Sequence, residues 1–584
     1  MSLRPVPGPR PDVAGRAGLA LTVLSVAATF AVAVTGTSVM EPPYPGRSGQ
    51  PPWAFDAHLP PYLAIALAAV GLLAGTAGLA LTLFATRRGW RLPARALLLG
   101  GLLAALALTL VPPFGSSDPL SYAAYGRILV TGHNPYVVAP DVLARLGDPV
   151  ARAVQDWKTT PSDYGVVATA GQALAALIGG TSARLTVFVL SVLNLAAFAG
   201  TGLILHRLTR GDRARQARAV LLWTANPLLL QVLVAGQHVD SQAIFFGVAA
   251  VAVFAQVVRR PPRQAFGYAA AAGALAGLGF AVKITVALVG GGLALAALQS
   301  YRGHWRRLLA IEGGLAAGFA VVAGVALGVG GGAGFHQTVQ ASSMVSIGSP
   351  WRVIRTVLHL AMHESTADDV VKAAAALLAV LLAVLLWHGL PVRRKGPAAI
   401  AESPATGVLA ERARLVELAG RGALALSLAW LLAWPYVLPW YDGLAWALLP
   451  LIAASSVDWL LLARTAALSV GYLPARAAGV VIPPGLGWLQ SVVRTGVTPA
   501  ILAIVLVWLI VDLRRRPSGT AGPRATDGVP GTPETGGAAA GTGGTTVLHG
   551  TPGADGADRA AGPGETGGTG GSAPEPAADG RRGR

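Results

Sequence analysis

"ARALLLGGLLAALALTLVPPFGSSDPLSYAAYGRILVTGHNPYVVAP", residues 94–140, changes character at Val111. Before that point Arg95 is the one charged residue in a run of Ala, Leu, Gly, Thr and Val. After it come Asp118, Tyr122, Tyr125, Arg127, His133, Asn134 and Tyr136. The apolar half reads as a helix able to cross a hydrocarbon core of about 30 Å. The polar half is a dense set of reactive side chains at the mouth of that helix.

Working outward, similar apolar runs recur from end to end. The 584 residues are 53% hydrophobic and 12% charged, and strand alternation is absent, which argues against a barrel. The fold class expected is an all-α polytopic transmembrane bundle of about 12–14 spans. The net charge of +18 does not indicate nucleic acid, because Lys and Arg sit in short clusters between apolar runs. That pattern fixes orientation in a membrane. With no Cys, loops in an oxidising compartment must be held by packing and hydrogen bonds. The first apolar run lacks a small-residue cleavage site and reads as a retained span.

Placing the basic clusters inside (Arg4 to Arg16, Arg87 to Arg95, Arg207 to Arg218, Arg259 to Arg263, Arg302 to Arg307, Arg393 to Lys395, Arg514 to Arg516) puts both termini in the cytoplasm. Spans are expected near 17–39, 61–85, 94–112, 184–205, 218–236, 241–258, 266–281, 284–300, 308–329, 369–388, 421–438, 443–463, 465–482 and 497–513. The pairs 266–300 and 443–482 read equally as short spans or re-entrant hairpins. The chain divides into a cytoplasmic N-terminus 1–16, a membrane domain 17–513 and a tail 514–584. That tail, rich in Gly, Pro, Ala and Thr, cannot bury enough apolar surface to fold. Segments 113–183 and 330–368 become outer loops. Within the first, "YGVVATAGQALAALIGG" (164–180) is a helix lying on or dipping into the outer face.

Outside the cytoplasmic clusters, polar residues fall on the outer side: Asp118, Tyr122, Arg127, Asn134, Tyr136, Asp163 and Tyr164, then His238 and Asp240 in "VAGQHVDSQ", Lys283 in "GFAVKITVAL", and Trp440, Tyr441 and Asp442 in "WPYVLPWYDGLAW". Ionisable groups at membrane depth are costly, so they are functional candidates. Structural alternatives stand beside each. Asp118-Pro119 is a good helix start, the aromatic residues suit an interfacial belt, and His238 with Asp240 could close a tight turn. Lys283, isolated in an apolar hairpin, needs an anion or a carbonyl cage. Arg352 and Arg355 read as a solvated or headgroup-facing surface. No phosphate-binding Gly loop occurs, and no cluster has metal-ligand spacing, so no cofactor is expected, with the need for a divalent metal left open.

Five stretches, "SDPLSYAAYGRILVTGHNPY", "TPSDYGVVATAG", "ANPLLLQVLVAGQHVDSQAIFFG", "GFAVKITVALVG" and "PYVLPWY", resemble the actinobacterial polyprenyl-phosphate-mannose-dependent α-1,6-mannosyltransferases of the GT-C superfamily, in that family's order. The chain departs from the family at Val166 (usually Pro), at Val239 (usually Asn) and at Asp442 (usually apolar). The resemblance implies a glycosyltransferase of the bacterial plasma membrane with its active site on the extracytoplasmic face. The donor would be polyprenyl-phosphate-mannose and the acceptor a glycan or glycolipid.

Asp118 matches the family's acidic residue in the first large outer loop, and would act as general base in an inverting displacement. A retaining reaction would want a second carboxylate about 5 Å away. Lys283 and His238 would hold the donor phosphate, with Arg127 or Arg352 as alternatives. Tyr122, Asn134, Tyr136, Tyr164, Asp240, Trp440 and Tyr441 would bind sugar or acceptor, and the leaving group needs no metal. The rival class is a transporter or lipid-carrier flippase, disfavoured because no internal repeat is evident. A membrane scaffold would not account for Asp118 and Lys283 together.

Overall fold

The computed structural model describes residues 10–391, 404–474 and 482–515. Among them the regular structure is all helical, with no strand. The expected tail, apart from Arg514 and Arg515, lies outside the described residues, as does the cluster that starts at Arg393.

Among the described residues, ten helices are long and apolar enough to cross a membrane. Their surfaces divide them. Arg213–Ala235 and Gly407–Ala433 are almost entirely buried, whereas Trp305–Ala341 and Glu364–Gly389 leave most of their apolar residues uncovered. Val321, Val325, Leu377 and Val380 are each more than 60% exposed, a face suited to lipid tails. The buried pair forms the centre of a bundle and the exposed pair its rim.

Ten is fewer than the fourteen spans expected, and the difference falls at four places. Ala94–Leu110 is a helix of 17 residues, about 25 Å at 1.5 Å per residue. Pro262–Phe280 forms as expected but with a Gly- and Ala-rich sequence of lower hydropathy. The pair 443–482 is broken: Gly443–Leu448 ends in a 3-10 turn at Leu449–Leu451 around Pro450, and helix resumes only at Val457–Gly471. Proline cannot donate to the helical ladder, so one long span is interrupted there. Residues 475–481 of the last expected member lie outside the described residues.

The segment 330–368 is not simply a loop. Trp305–Ser342 runs on through a single non-helical residue, Gly331 (φ 63°), and a further helix covers Pro350–Leu358. The segment 113–183 does carry several helices: Asp118–Val130, Pro140–Arg145, Pro149–Arg152 and Val166–Gly179.

Three basic residues read as orientation signals are also fasteners. Asp458 accepts from Arg87 at 2.9 Å and from Arg218 at 2.6 Å, while Arg215 donates to the carbonyl of Leu451. Arg215 also donates to Pro450 O at 3.4 Å and Arg218 to Leu449 O and Ile452 O at 3.0 and 3.1 Å, so the two arginines satisfy carbonyls freed where Pro450 breaks the helix.

Candidate active site

Three backbone devices bring distant residues together. The first carries Asp118. The chain leaving Ala94–Leu110 is pinned where Phe114 N–H donates to Ala235 O (3.0 Å) and Gly115 N–H to Met40 O (2.8 Å). Asp118 then begins its helix as the first helical residue, with its own N–H on Ser116 Oγ at 3.1 Å. Its carboxylate is not spent as a cap. Among the described residues, its contacts are the Tyr122 hydroxyl, which donates to Oδ2 at 3.4 Å, and His238 Nδ1, 3.5 Å from the same oxygen.

The second device presents His238. Leu230–Ala235 is a π-helical turn, a wide turn frequent at functional sites, and Gln237 follows at φ 54°. Asn194 Nδ2 donates to His238 O at 2.7 Å, fixing the backbone behind the ring. The imidazole lies flat on Trp440, centroids 3.5 Å apart.

The third device joins Asp163 and Tyr164 to the hairpin that carries Lys283. Gly165 N–H donates to Val282 O (3.2 Å) and Val167 N–H to Ala281 O (2.9 Å). A Cβ on Gly165 would stand 2.1 Å from Ala281 O, so only glycine permits this approach. Gly126 plays the same part where the Asp118–Val130 helix crosses Val166–Gly179, its missing Cβ being 2.1 Å from Gln172 O.

Lys283 does have its cage. Nζ donates to Asp240 Oδ1 at 2.7 Å and sits 3.8 Å from the centre of the Tyr441 ring, a carboxylate on one side and a π face on the other. Tyr122 and Tyr164 meet edge to face at 5.1 Å, and the Tyr164 hydroxyl donates to that of Tyr122 at 3.4 Å. Burial pushes both phenols well above their ordinary value, so they remain neutral hydrogen-bond donors.

These groups surround two cavities. One, of about 150 Å³, is polar: Asp118, Tyr122, Asp163, Tyr164, Trp440 and Tyr472 are among its walls. The other, of about 550 Å³, is a groove lined by Phe280, Ile284, Leu288, Leu327, Phe335 and Trp434, with Lys283 at its polar end. Asp163 borders both. Burial pushes its carboxyl up to about 6, opposed by Lys283 and reinforced by Asp118 and Asp240.

Of the residues read from the sequence, Asp118, Tyr122, Tyr164, His238, Asp240, Lys283, Trp440 and Tyr441 converge here. Tyr136 lines the groove, its hydroxyl 3.0 Å from Thr169 Oγ1. Two do not join them. Arg127 donates to Asp148 at 2.7 Å, an ion pair within the 113–183 segment, and lines neither cavity. Exposed Asn134 accepts the Tyr136 N–H at 2.9 Å, closing a turn. Asp442, expected at an outer turn, is fully buried, with Oδ1 on Arg464 Nε at 2.9 Å and Oδ2 on the Thr465 hydroxyl at 2.8 Å. The departure at this position thus comes with its own counter-charge. Arg355 is paired with Asp368, while Arg352 is exposed.

Sequence reasoning missed Tyr436, Tyr472, Gln337 and Gln340 in the polar chamber. Nothing distinguishes those tyrosines from belt residues, and the glutamines fell in a segment read as loop. Among the described residues, no group of three His, Cys or carboxylate side chains is arranged to hold a metal ion.

Fold and cavities together define a multi-pass helical membrane protein with a polar chamber joined to an apolar groove. Residues 16–299, just under half of the chain, match the family model described as "Alpha-(1->6)-mannopyranosyltransferase, N-terminal domain", and over that stretch the chain is similar to the alpha-(1->6)-mannopyranosyltransferases. Similar proteins include a probable alpha-(1->6)-mannopyranosyltransferase of Mycolicibacterium smegmatis, 34% identical over 24% of this chain and 25% of that one. Alpha-(1->6)-mannopyranosyltransferase B of Corynebacterium glutamicum is 28% identical over 35% of each chain. An alpha-(1->6)-mannopyranosyltransferase of Mycobacterium tuberculosis is 34% identical over 24% of each. The aligned stretches thus span about a quarter to a third of these relatives.

Proposed function

We propose that this protein transfers a mannosyl unit from a polyprenyl-phosphate donor to the hydroxyl of a glycan or glycolipid acceptor, forming an α-1,6 linkage with inversion. The observation that carries the reading is the junction of the two cavities. An apolar groove suited to a prenyl chain ends at the Lys283 ammonium, and it meets a polar chamber that holds an unspent carboxylate, Asp118.

The chemistry follows from those positions. The prenyl chain lies along the groove and its phosphate reaches Lys283, whose charge stabilises the negative charge gathering on the departing oxygen. The acceptor hydroxyl enters from the chamber. Its oxygen bonds to the anomeric carbon as the bond from that carbon to the phosphate oxygen breaks, and the electron pair leaves on polyprenyl phosphate. The hydroxyl proton passes to Asp118, whose orientation Tyr122 and His238 hold. A β-linked donor gives an α-linked product. The chamber faces the extracytoplasmic side and both termini the cytoplasm, as the basic clusters indicate.

The test compares membranes containing wild type or Asp118→Asn at matched expression, given labelled polyprenyl-phosphate-mannose and a short α-1,6-mannose acceptor. Lengthened acceptor from wild type and almost none from the variant is the expected result. Equal transfer by both would remove Asp118 as base. A transporter would move the labelled lipid without consuming it.

A further inference from the structure

Asp163 has no part in the reaction just described, yet its position demands one. Five residues border both the groove and the chamber: Asp163, Tyr164, Ala341, Tyr436 and Tyr441. Asp163 is the charged member of that neck. Its backbone is fixed on both sides, by Ser162 N–H on Pro135 O at 2.8 Å and by Gly165 N–H on Val282 O at 3.2 Å. Its side chain keeps part of its surface open, towards the two cavities it lines. It feels Lys283, Asp118 and Asp240, but among the described residues it forms no ion pair: the Lys283 ammonium is held by Asp240 instead. An ionised carboxylate has about four lone-pair sites; that of Asp163 interacts with its own backbone N–H, which leaves most of those sites to accept from something in the neck.

What passes through the neck is set by its ends. With a phosphate at Lys283 and a base at Asp118, the group lying between them is the sugar being transferred. The neck offers two kinds of contact suited to a pyranose, the rings of Tyr436 and Tyr441 for its C–H face and a carboxylate for its hydroxyls. Charge-assisted bonds from two neighbouring hydroxyls to one carboxylate depend on their relative orientation. We propose that Asp163 binds the hydroxyls of the donor sugar in this neck and is the residue that selects which sugar is transferred. This rests on the glycosyltransferase reading above. It is a positioning role, since the proton and the leaving group go elsewhere.

The test uses the full-length protein in detergent with three probes: polyprenyl-phosphate-mannose, polyprenyl-phosphate-glucose, and sugar-free polyprenyl phosphate as a competitive inhibitor. Wild type is expected to prefer the mannose donor. Asp163→Asn should lose roughly tenfold or more in kcat/KM for that donor and narrow its preference over glucose, as a site built to hydrogen-bond a hydroxyl does when a partner is removed. The inhibition constant of polyprenyl phosphate should stay within roughly twofold, because the loss of one sugar contact leaves phosphate and lipid contacts alone. Asp163→Glu, which keeps the carboxylate, should recover part of the preference.

If Asp163→Asn weakens polyprenyl phosphate as much as the mannose donor, the residue serves the phosphate or the fold, and the proposal fails. Unchanged preference in the variant overturns it equally. Absence of transfer by wild type from either donor would instead overturn the glycosyltransferase reading, and the role of Asp163 with it.

Discussion

The two halves of the chain contribute differently to the chamber and groove. Every charged side chain lining them, Asp118, Asp163 and Lys283, comes from the first 299 residues, as does Asp240, the ion-pair partner of Lys283. The later half contributes Gln337, Gln340, Trp430, Trp434, Tyr436, Trp440, Tyr441 and Tyr472, none of them charged. The matched family model ends at residue 299, so the boundary between the two contributions coincides with the end of the recognisable sequence. The contrast suggests a division of labour. On the proposed reading the first half holds the charge that the reaction uses, and the second supplies polar and aromatic walls that shape the space. Where the second half does bury a carboxylate at this level, in Asp442, it supplies Arg464 to neutralise it.

The largest effect should come from the first half. Replacing Asp118 by Asn removes the proposed base while keeping shape, and should lower kcat by roughly two to four orders of magnitude. Thermal unfolding in detergent should be little changed, since the carboxylate makes only the long contacts to Tyr122 and His238. A small loss of kcat would mean that the charges of the first half are structural, and the contrast would collapse.

Asp442→Ala should act the other way. It strands the buried Arg464 guanidinium, which is 2% exposed, and breaking one side of such a pair costs about 3–5 kcal/mol. The expected readout is a clear fall in melting temperature with turnover per folded molecule preserved. Lost turnover at an unchanged melting temperature would instead give the second half a charged functional residue.

A smaller effect concerns pH. Burial pushes the Asp163 carboxyl up to about 6, with Lys283, Asp118 and Asp240 as the charges acting on it and Tyr122, Tyr125, Tyr164, Tyr436 and Tyr441 as the phenols that feel it. If its ionised form binds the donor sugar, protonation as pH falls through about 6 removes that acceptor. Then kcat/KM for the donor, which reports groups of the free enzyme, should drop by up to about tenfold per unit below that point. The donor is a phosphodiester and does not titrate in this window. The decisive comparison is with Asp163→Asn. In that variant this limb should flatten, and its persistence would assign the limb to a group other than Asp163.

These expectations also show how much the sequence disclosed. Asp118, His238, Asp240 and Lys283 were legible because an isolated ionisable residue in an apolar chain is costly and needs a reason. Arg127 met the same test and misled, since its partner Asp148 lies 21 positions on in a stretch with no motif. Tyr436 and Tyr472 were illegible because a tyrosine between apolar runs also suits the membrane interface. Gln337 and Gln340 were hidden by one residue: Gly331 breaks the helix without ending it, and a Gly-rich stretch reads locally as a loop. The bundle itself followed from hydropathy, but the break at Pro450 and the close crossings at Gly126 and Gly165 are long-range facts that no local pattern carries.

Tyr441 is the finest test of the contrast, because within the site its ring packs against a charge of the first half. Its ring faces the Lys283 ammonium at 3.8 Å, and a ring acts there through its face. Tyr441→Phe keeps that face, so donor KM should stay within about twofold. Tyr441→Leu removes it and should weaken the hold on Lys283 by about 1–2 kcal/mol, read as a roughly 5- to 30-fold rise in donor KM with a smaller change in kcat. If Phe costs as much as Leu, the hydroxyl takes part directly. The second half would then supply a reacting-centre contact as well as a wall, and its separation from the charged half would hold for formal charge alone.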